Sequence, residues 1–173
     1  MKILVTGGAR SGKSRFAQAR AEALHPRRFY LATAQALDAE MADRIARHRA
    51  DRDGSWQTLE EPLDPGPLLR QDGVVLLDCL TLWVSNLLLA DRDDADIEAA
   101  MEALVSAVAT ADNPVVLVTN EVGLGIVPNN PLARRFRDHS GRLSQLLAAV
   151  CDEVVLCVAG LPLTVKSPHN VER

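Results

Sequence analysis

The chain has 173 residues, 47% of them apolar and 24% charged, and a net charge of -4. That suits one domain, residues 1–173, with a respectable core. A pI near 5.5 lacks the basic excess of a general nucleic-acid binder, and no apolar run approaches the roughly 20 residues that span a bilayer.

Aromatics make up only 3%, so the core must rest on Leu, Val, Ile and Ala. Cys79, Cys151 and Cys157 are odd in number and lack a C-x-x-C spacing, which argues against a disulfide framework or a zinc site. The N-terminus runs straight into a strand with no signal peptide in front of it. A reduced, cytoplasmic protein is expected.

Lys2 to Thr6 is a short apolar run ending in glycines, hence a strand and then a turn. Lys13 to Leu24 reads as a helix with Phe16, Ala17, Ala21 and Leu24 inward, and Arg28 to Ala32 as a second strand. A second helix is predicted from Asp38 to about Asp51, with Asp38 as N-cap and Glu40 in its first turn, and Gly54 stops it. Trp56 to Leu59 is a short strand. Pro62 to Gly73, rich in Pro and Gly, is a loop with room for one helical turn.

Val74 to Leu77 is a continuous apolar run, as for a strand covered on both faces. Helices follow at Thr81 to Ala90 and Ala95 to Thr110, separated by the polar break Asp91 to Asp94. Pro114 to Thr119 is another buried strand. Asn129 or Asn130 caps a long helix with Pro131 in its first turn and an apolar stripe of Leu132, Phe136, Leu143, Leu146, Leu147 and Val150. Glu153 to Val158 and Leu161 to Lys166 are the last strands, and Ser167 to Arg173 is expected to fray. Alternating strands and helices predict an α/β fold, a mostly parallel sheet with helices on both faces.

Gly7-Gly8-Ala9-Arg10-Ser11-Gly12-Lys13-Ser14 is G-x-x-x-x-G-K-S, a phosphate-binding loop between a strand and a helix. The glycines let successive N–H groups turn toward phosphate oxygens, Lys13 neutralises the β and γ phosphates, and Ser14 can ligand Mg²⁺. The positive end of the following helix adds to this. The second expected part is an acid at the carboxyl end of a buried strand, and Asp78 after Val74 to Leu77 supplies it. Asp78 either binds Mg²⁺, directly or through water, or caps the next helix.

At 100° per residue, Leu37, Met41, Ile45 and His48 share one stripe of the second helix, with Arg44 beside it and Arg47, Arg49 and Arg52 flanking. His48 is either a satisfied core histidine or a nucleophile. Neighbouring arginines would keep the imidazole neutral and hold a polyphosphate.

Longer stretches are distinctive: V-T-G-G-A-R-S-G-K-S, Y-L-A-T-A-Q, D-x-E-M-A-x-R-I-x-x-H-R, L-L-D-C-L-T-L-W-V-S-N-L-L and T-N-E-V-G-L-G-I-V-P-x-N-x-L-A-R-x-F-R-D-x-x-G-R. In this order, from Lys2 to about Lys166, the chain resembles the bifunctional adenosylcobinamide kinase/adenosylcobinamide-phosphate guanylyltransferases of cobalamin synthesis. The phosphate loop is common to many proteins. The T-N-E-V-G-x-G-I-V-P segment, with the helix-two histidine, is far more selective.

The resemblance implies a recombinase-like P-loop NTPase fold, a three-layer sandwich, often assembled as a homotrimer. It implies phosphorylation of adenosylcobinamide by a nucleoside triphosphate, ATP or GTP. It also implies GMP transfer from GTP through a guanylyl-histidine to adenosylcobinamide phosphate. His48 occupies the R-I-x-x-H position, whereas His25, His139 and His169 lie outside it. By the same matching, Ala32, Thr33 and Ala34, with Arg49, Ala50, Asp51 and Arg52, are nucleotide contacts. The resemblance also implies that Glu60 contacts the guanosine, where a carboxylate can accept from guanine or ribose donors; the alternative is a solvated loop acid. The chain departs from the expected G-R-x-N-Q with Gly141-Arg142-Leu143-Ser144-Gln145, which puts in doubt the contact an Asn makes there.

Two rival functions fit the phosphate loop: a kinase of another small hydroxyl substrate with His48 structural, and a nucleotide-switched binding module. The segment Asn120 to Pro128 either borders the corrinoid or is a tight crossover.

Overall fold

The structure, a computed structural model, describes residues 1–36, 38–50 and 54–168. The side chains of Arg44, Arg47, His48 and Ala50 lie outside the described residues, as do Leu37, Asp51, Arg52 and residues 169–173 as a whole.

The chain builds β1 (Lys2–Gly7), α1 (Lys13–Leu24), β2 (Arg28–Ala32), α2 (Ala39–Ala50), β3 (Trp56–Glu60), a 3₁₀ turn (Gly66–Leu69) and β4 (Val74–Asp78). There follow α3 (Leu80–Leu89), α4 (Asp94–Thr110), β5 (Val115–Val118), α5 (Pro131–Val150), β6 (Glu153–Val158) and β7 (Leu161–Lys166). The strands form one sheet in the order β3-β2-β4-β5-β1-β6-β7. All pairs are parallel except β6 with β7, a hairpin that closes one edge antiparallel.

Each central strand is apolar on both pleat faces because each face is covered. Ile3, Val5, Leu76, Val116 and Val118 pack against Ala17 and Ala21 of α1. Leu4, Leu31, Leu77 and Leu117 pack on the other face against Trp83, Leu87, Met101, Leu104, Leu143 and Leu147 of α3, α4 and α5. The expected α/β architecture with helices on both faces is therefore present. Strict alternation is not: two helices separate β4 from β5, and none separates β6 from β7.

The helix starts follow their caps. Asp38 accepts from Met41 N at 2.7 Å, Asp93 from Asp96 N, and Asn130, rather than Asn129, from Leu132 N and Ala133 N. Two expected stripes need correction. Leu132 lies too near the start of α5 to reach the sheet and is exposed, while His139 and Ser140 of that helix are buried. Met41 and Ile45 of α2 are only half-buried and face a cleft, not the core. All three cysteines are free and buried, and burial pushes the Cys151 thiol up to about 12. Among the described residues no helix is long and apolar enough to cross a membrane.

Candidate active site

The phosphate loop leaves β1 at the carboxyl end of the parallel strands and enters α1. Gly12 adopts φ 91°, a left-handed conformation that only glycine takes readily. At Gly7 a Cβ would stand 2.5 Å from the Cys157 carbonyl oxygen, so no side chain fits. The loop is braced from outside: Gly160 N donates to Ser11 O at 2.9 Å and Glu121 N donates to Gly7 O at 3.0 Å. Gly8, Ala9 and Arg10 form its exposed rim, and Arg10 also takes a positive φ of 57°. Lys13 is buried and its Nζ donates to Gly8 O at 3.1 Å, so the ammonium arches over the loop where phosphate oxygens would sit.

Lys13 and Ser14 line a cleft together with Tyr30, Ala32 and Ala34 of the β2 end, Thr58 and Glu60 of β3, and Asp78 and Cys79 of the β4 end. Leu82 and Asn120 close one side, and Met41, Ile45 and Arg49 of α2 close another. The cavity measures about 140 Å³. Its position fits the rule that ligands of open α/β sheets gather beyond the carboxyl ends of the strands.

Asp78 ends β4 and accepts from the Tyr30 hydroxyl at 2.9 Å. The next peptide, Asp78–Cys79, is cis, and Thr33 grips it: its hydroxyl donates to Cys79 O at 2.8 Å and accepts from Cys79 N at 3.0 Å. This corrects one expectation. Thr33 is fully buried beneath the cleft and its hydroxyl is engaged there, so it supports the wall instead of facing a nucleotide. Its neighbours Ala32 and Ala34 do line the cleft.

Glu60 and Arg49 form an ion pair across the cleft, joining β3 to α2. His48 and Ala50 belong to α2, but their side chains fall outside the described residues, as do Asp51 and Arg52. Burial, aided by the Asp78 charge, raises the pKa of the Cys79 thiol. Cys79 is thus held neutral, a poor nucleophile despite its place in the cleft wall.

Among the described residues no group of three or more His, Cys, Asp or Glu side chains could hold a metal. A cation held between a hydroxyl, a carboxylate and phosphate oxygens needs no such group. Ser14 and Asp78 in one cleft provide the hydroxyl and the carboxylate, and Mg²⁺ suits them because it takes few protein ligands and completes its shell from phosphate and water.

Tyr30, Thr58, Leu82 and Cys79 escaped the sequence reading as cleft residues. Tyr30 and Thr58 had a usable signal, since each lies two residues before a predicted site residue in the same strand, Ala32 in β2 and Glu60 in β3, and so shares its face.

Fold and site together define a P-loop NTPase-type nucleotide-binding protein. Solved structures agree on the fold: an ATPase from the type III secretion system of pathogenic bacteria superposes with a TM-score of 0.55 at 10% identity, over 99% of this chain and 58% of that one. A Pyrococcus horikoshii OT3 protein superposes with a TM-score of 0.53 at 11% identity, over 96% of this chain and 86% of that one.

Sequence comparison is narrower. The model of the cobinamide kinase / cobinamide phosphate guanyltransferase family matches residues 3–165, and the chain belongs to that family. It is similar to the bifunctional adenosylcobalamin biosynthesis protein CobP of Pseudomonas aeruginosa, 46% identical over 96% of this chain and 98% of the relative. It is also similar to the bifunctional CobU of Salmonella typhimurium, 48% identical over 96% of this chain and all of the relative.

Proposed function

We propose that this protein catalyses two successive transfers to one corrinoid in a cytoplasmic, homo-oligomeric enzyme, trimeric by family resemblance. In the first, the hydroxyl oxygen of the aminopropanol arm of adenosylcobinamide attacks the γ phosphorus of ATP or GTP, and the bond to the β–γ bridging oxygen breaks. In the second, an imidazole nitrogen of His48 attacks the α phosphorus of GTP and expels pyrophosphate. A phosphate oxygen of adenosylcobinamide phosphate then displaces the histidine, giving adenosylcobinamide-GDP.

The observation that carries this reading is convergence. The phosphate loop, Asp78 and Glu60 share one cleft with α2, the helix that bears His48. Met41 and Ile45, of the stripe that includes His48 in the sequence, line that cleft.

Phosphoryl transfer is mostly positioning and charge neutralisation. Lys13 and the loop N–H groups hold the phosphates, and the positive end of α1 favours their charge. When bound by Ser14 and Asp78, Mg²⁺ would offset phosphate charge. Arg49, held toward the cleft by Glu60, adds a cation at the α2 side. Covalent chemistry is assigned to His48 because it holds the R-I-x-x-H position of the family resemblance. A covalent relay also spares the enzyme from aligning GTP and a bulky corrinoid in one step.

Chromatography of the corrinoid products tests the reading. With ATP the protein should yield adenosylcobinamide phosphate, and with GTP added, adenosylcobinamide-GDP. Turnover of ATP with no phosphorylated corrinoid would overturn it.

A further inference from the structure

The loop that leaves β5 carries an exposed apolar surface. Leu124 is 90% exposed, Ile126 97% and Val127 59%. Single exposed apolar residues are ordinary, but three large ones within four positions are a patch.

The segment is held at both ends. Glu121 N donates to Gly7 O of the phosphate loop, and Gly123 N donates to the Glu121 carboxylate at 2.6 Å. At the far end Arg134 donates to the carbonyls of Pro128 and Asn129, and Asn130 caps α5. The apolar tip is therefore displayed from a fixed base.

The patch also continues from the cleft. Asn120 lines the cleft wall, its amide fixed by Thr81 Oγ1 at 2.8 Å, and Leu124 follows four residues later. Four residues reach at most about 14 Å, so Leu124 lies within that distance of Asn120 in the cleft wall. In the proposed reaction this cleft also holds the nucleoside triphosphate, over Lys13 and Ser14. The reactive arm of the substrate can enter it while the ring stays outside, against whatever surface borders the mouth.

We propose that Leu124, Ile126 and Val127 form the platform on which the apolar surface of the corrinoid rings rests during both transfers. The glycines at 123 and 125 keep the tip free of further side chains, so the aliphatic groups meet the macrocycle unobstructed. This inference rests on adenosylcobinamide being the acceptor.

The test is the triple variant Leu124→Ser, Ile126→Ser, Val127→Ser, assayed with adenosylcobinamide and ATP. Loss of the apolar contacts should raise the KM for adenosylcobinamide at least about tenfold. The KM for ATP should stay unchanged, as should the labelling of the protein by α-labelled GTP without corrinoid. Ile126→Ser alone should move the same KM in the same direction by less, which keeps the test open if the triple variant misfolds, and Ile126→Leu should restore it. An unchanged KM for adenosylcobinamide in a folded triple variant overturns the platform while leaving the two transfers standing. A changed oligomeric state in ultracentrifugation overturns it in favour of a contact between copies of the chain. Wild-type protein that does not turn over adenosylcobinamide refutes the acceptor itself, and the platform falls with it.

Discussion

Tyr30 donates its hydroxyl hydrogen to Asp78 at 2.9 Å, from one strand of the sheet to the next. The bond fixes the carboxylate at the carboxyl end of β4, beside Lys13 and Ser14 in the cleft. Tyr30→Phe removes one restraint and leaves the charge, so it should cost only a few-fold in rate. Asp78→Asn keeps the shape and removes the charge, so it should weaken the Mg²⁺ dependence much further. Magnesium titrations of the three proteins check the order. An Asp78→Asn curve matching the parent would leave Asp78 no metal role.

Gly12 and Gly160 touch backbone to backbone, although they are far apart in the chain. A Cβ on Gly12 would stand 3.0 Å from Gly160 Cα, and Gly12 also has φ 91°. A Cβ on Gly160 would meet only the flexible end of Arg15, at 3.8 Å, with strain from φ 82° alone. Gly12→Ala should therefore damage the enzyme more than Gly160→Ala, whose left-handed strain costs about 1–2 kcal/mol. Thermal denaturation and the KM for ATP read both variants. Equal effects would mean the contact does not shape the loop.

Glu60 and Arg49 are each more than half exposed, so their ion pair should contribute less than about 1 kcal/mol to stability. Glu60→Gln should accordingly melt near the parent temperature. It should still impair guanylyl transfer from GTP more than phosphorylation from ATP, since a neutral amide is a weaker acceptor for guanosine donors and releases Arg49. Equal losses with the two nucleotides would count against a guanosine role.

Away from the cleft, Asp94 at the start of α4 lies 3.0 Å from His139 Nε2 and accepts from Arg135 Nη2 at 2.8 Å. The hydrogen bond from His139, then that from Arg135, hold the Asp94 carboxyl below its ordinary 3.8. A depressed folded pKa means the stabilisation is present above 3.8 and is lost as pH falls through the lower folded value. Asp94→Asn should flatten that acid limb in urea unfolding. A variant with the parent's acid dependence would assign the limb to other carboxylates.

Much of the molecule was legible because its signals are local. The apolar runs of β1, β4 and β5, the loop from Gly7 to Ser14, Asp78 at a strand end and the Asn130 cap each need only a few neighbouring residues. What escaped depends on contacts across sequence distance. Tyr30 meets Asp78 because β2 lies beside β4, and Gly12 meets Gly160 because β6 lies beside β1. Periodicity placed Leu132 inward, but it cannot say where a helix outruns the sheet it covers. Motif matching put Thr33 on the nucleotide, whereas the bonds to Cys79 that bury it appear only once β2 and β4 are side by side.

The central claim is that His48 carries GMP, and labelling tests it most directly. Wild-type protein incubated with α-labelled GTP should take up label that peptide mapping assigns to His48, labile to acid and stable to base. γ-Labelled GTP should leave no such label, since that phosphate departs with pyrophosphate. His48→Ala should take up none while retaining some phosphorylation of adenosylcobinamide. If His48→Ala takes up α-label as well as the wild type does, the nucleophile lies elsewhere and the account of guanylyl transfer is wrong.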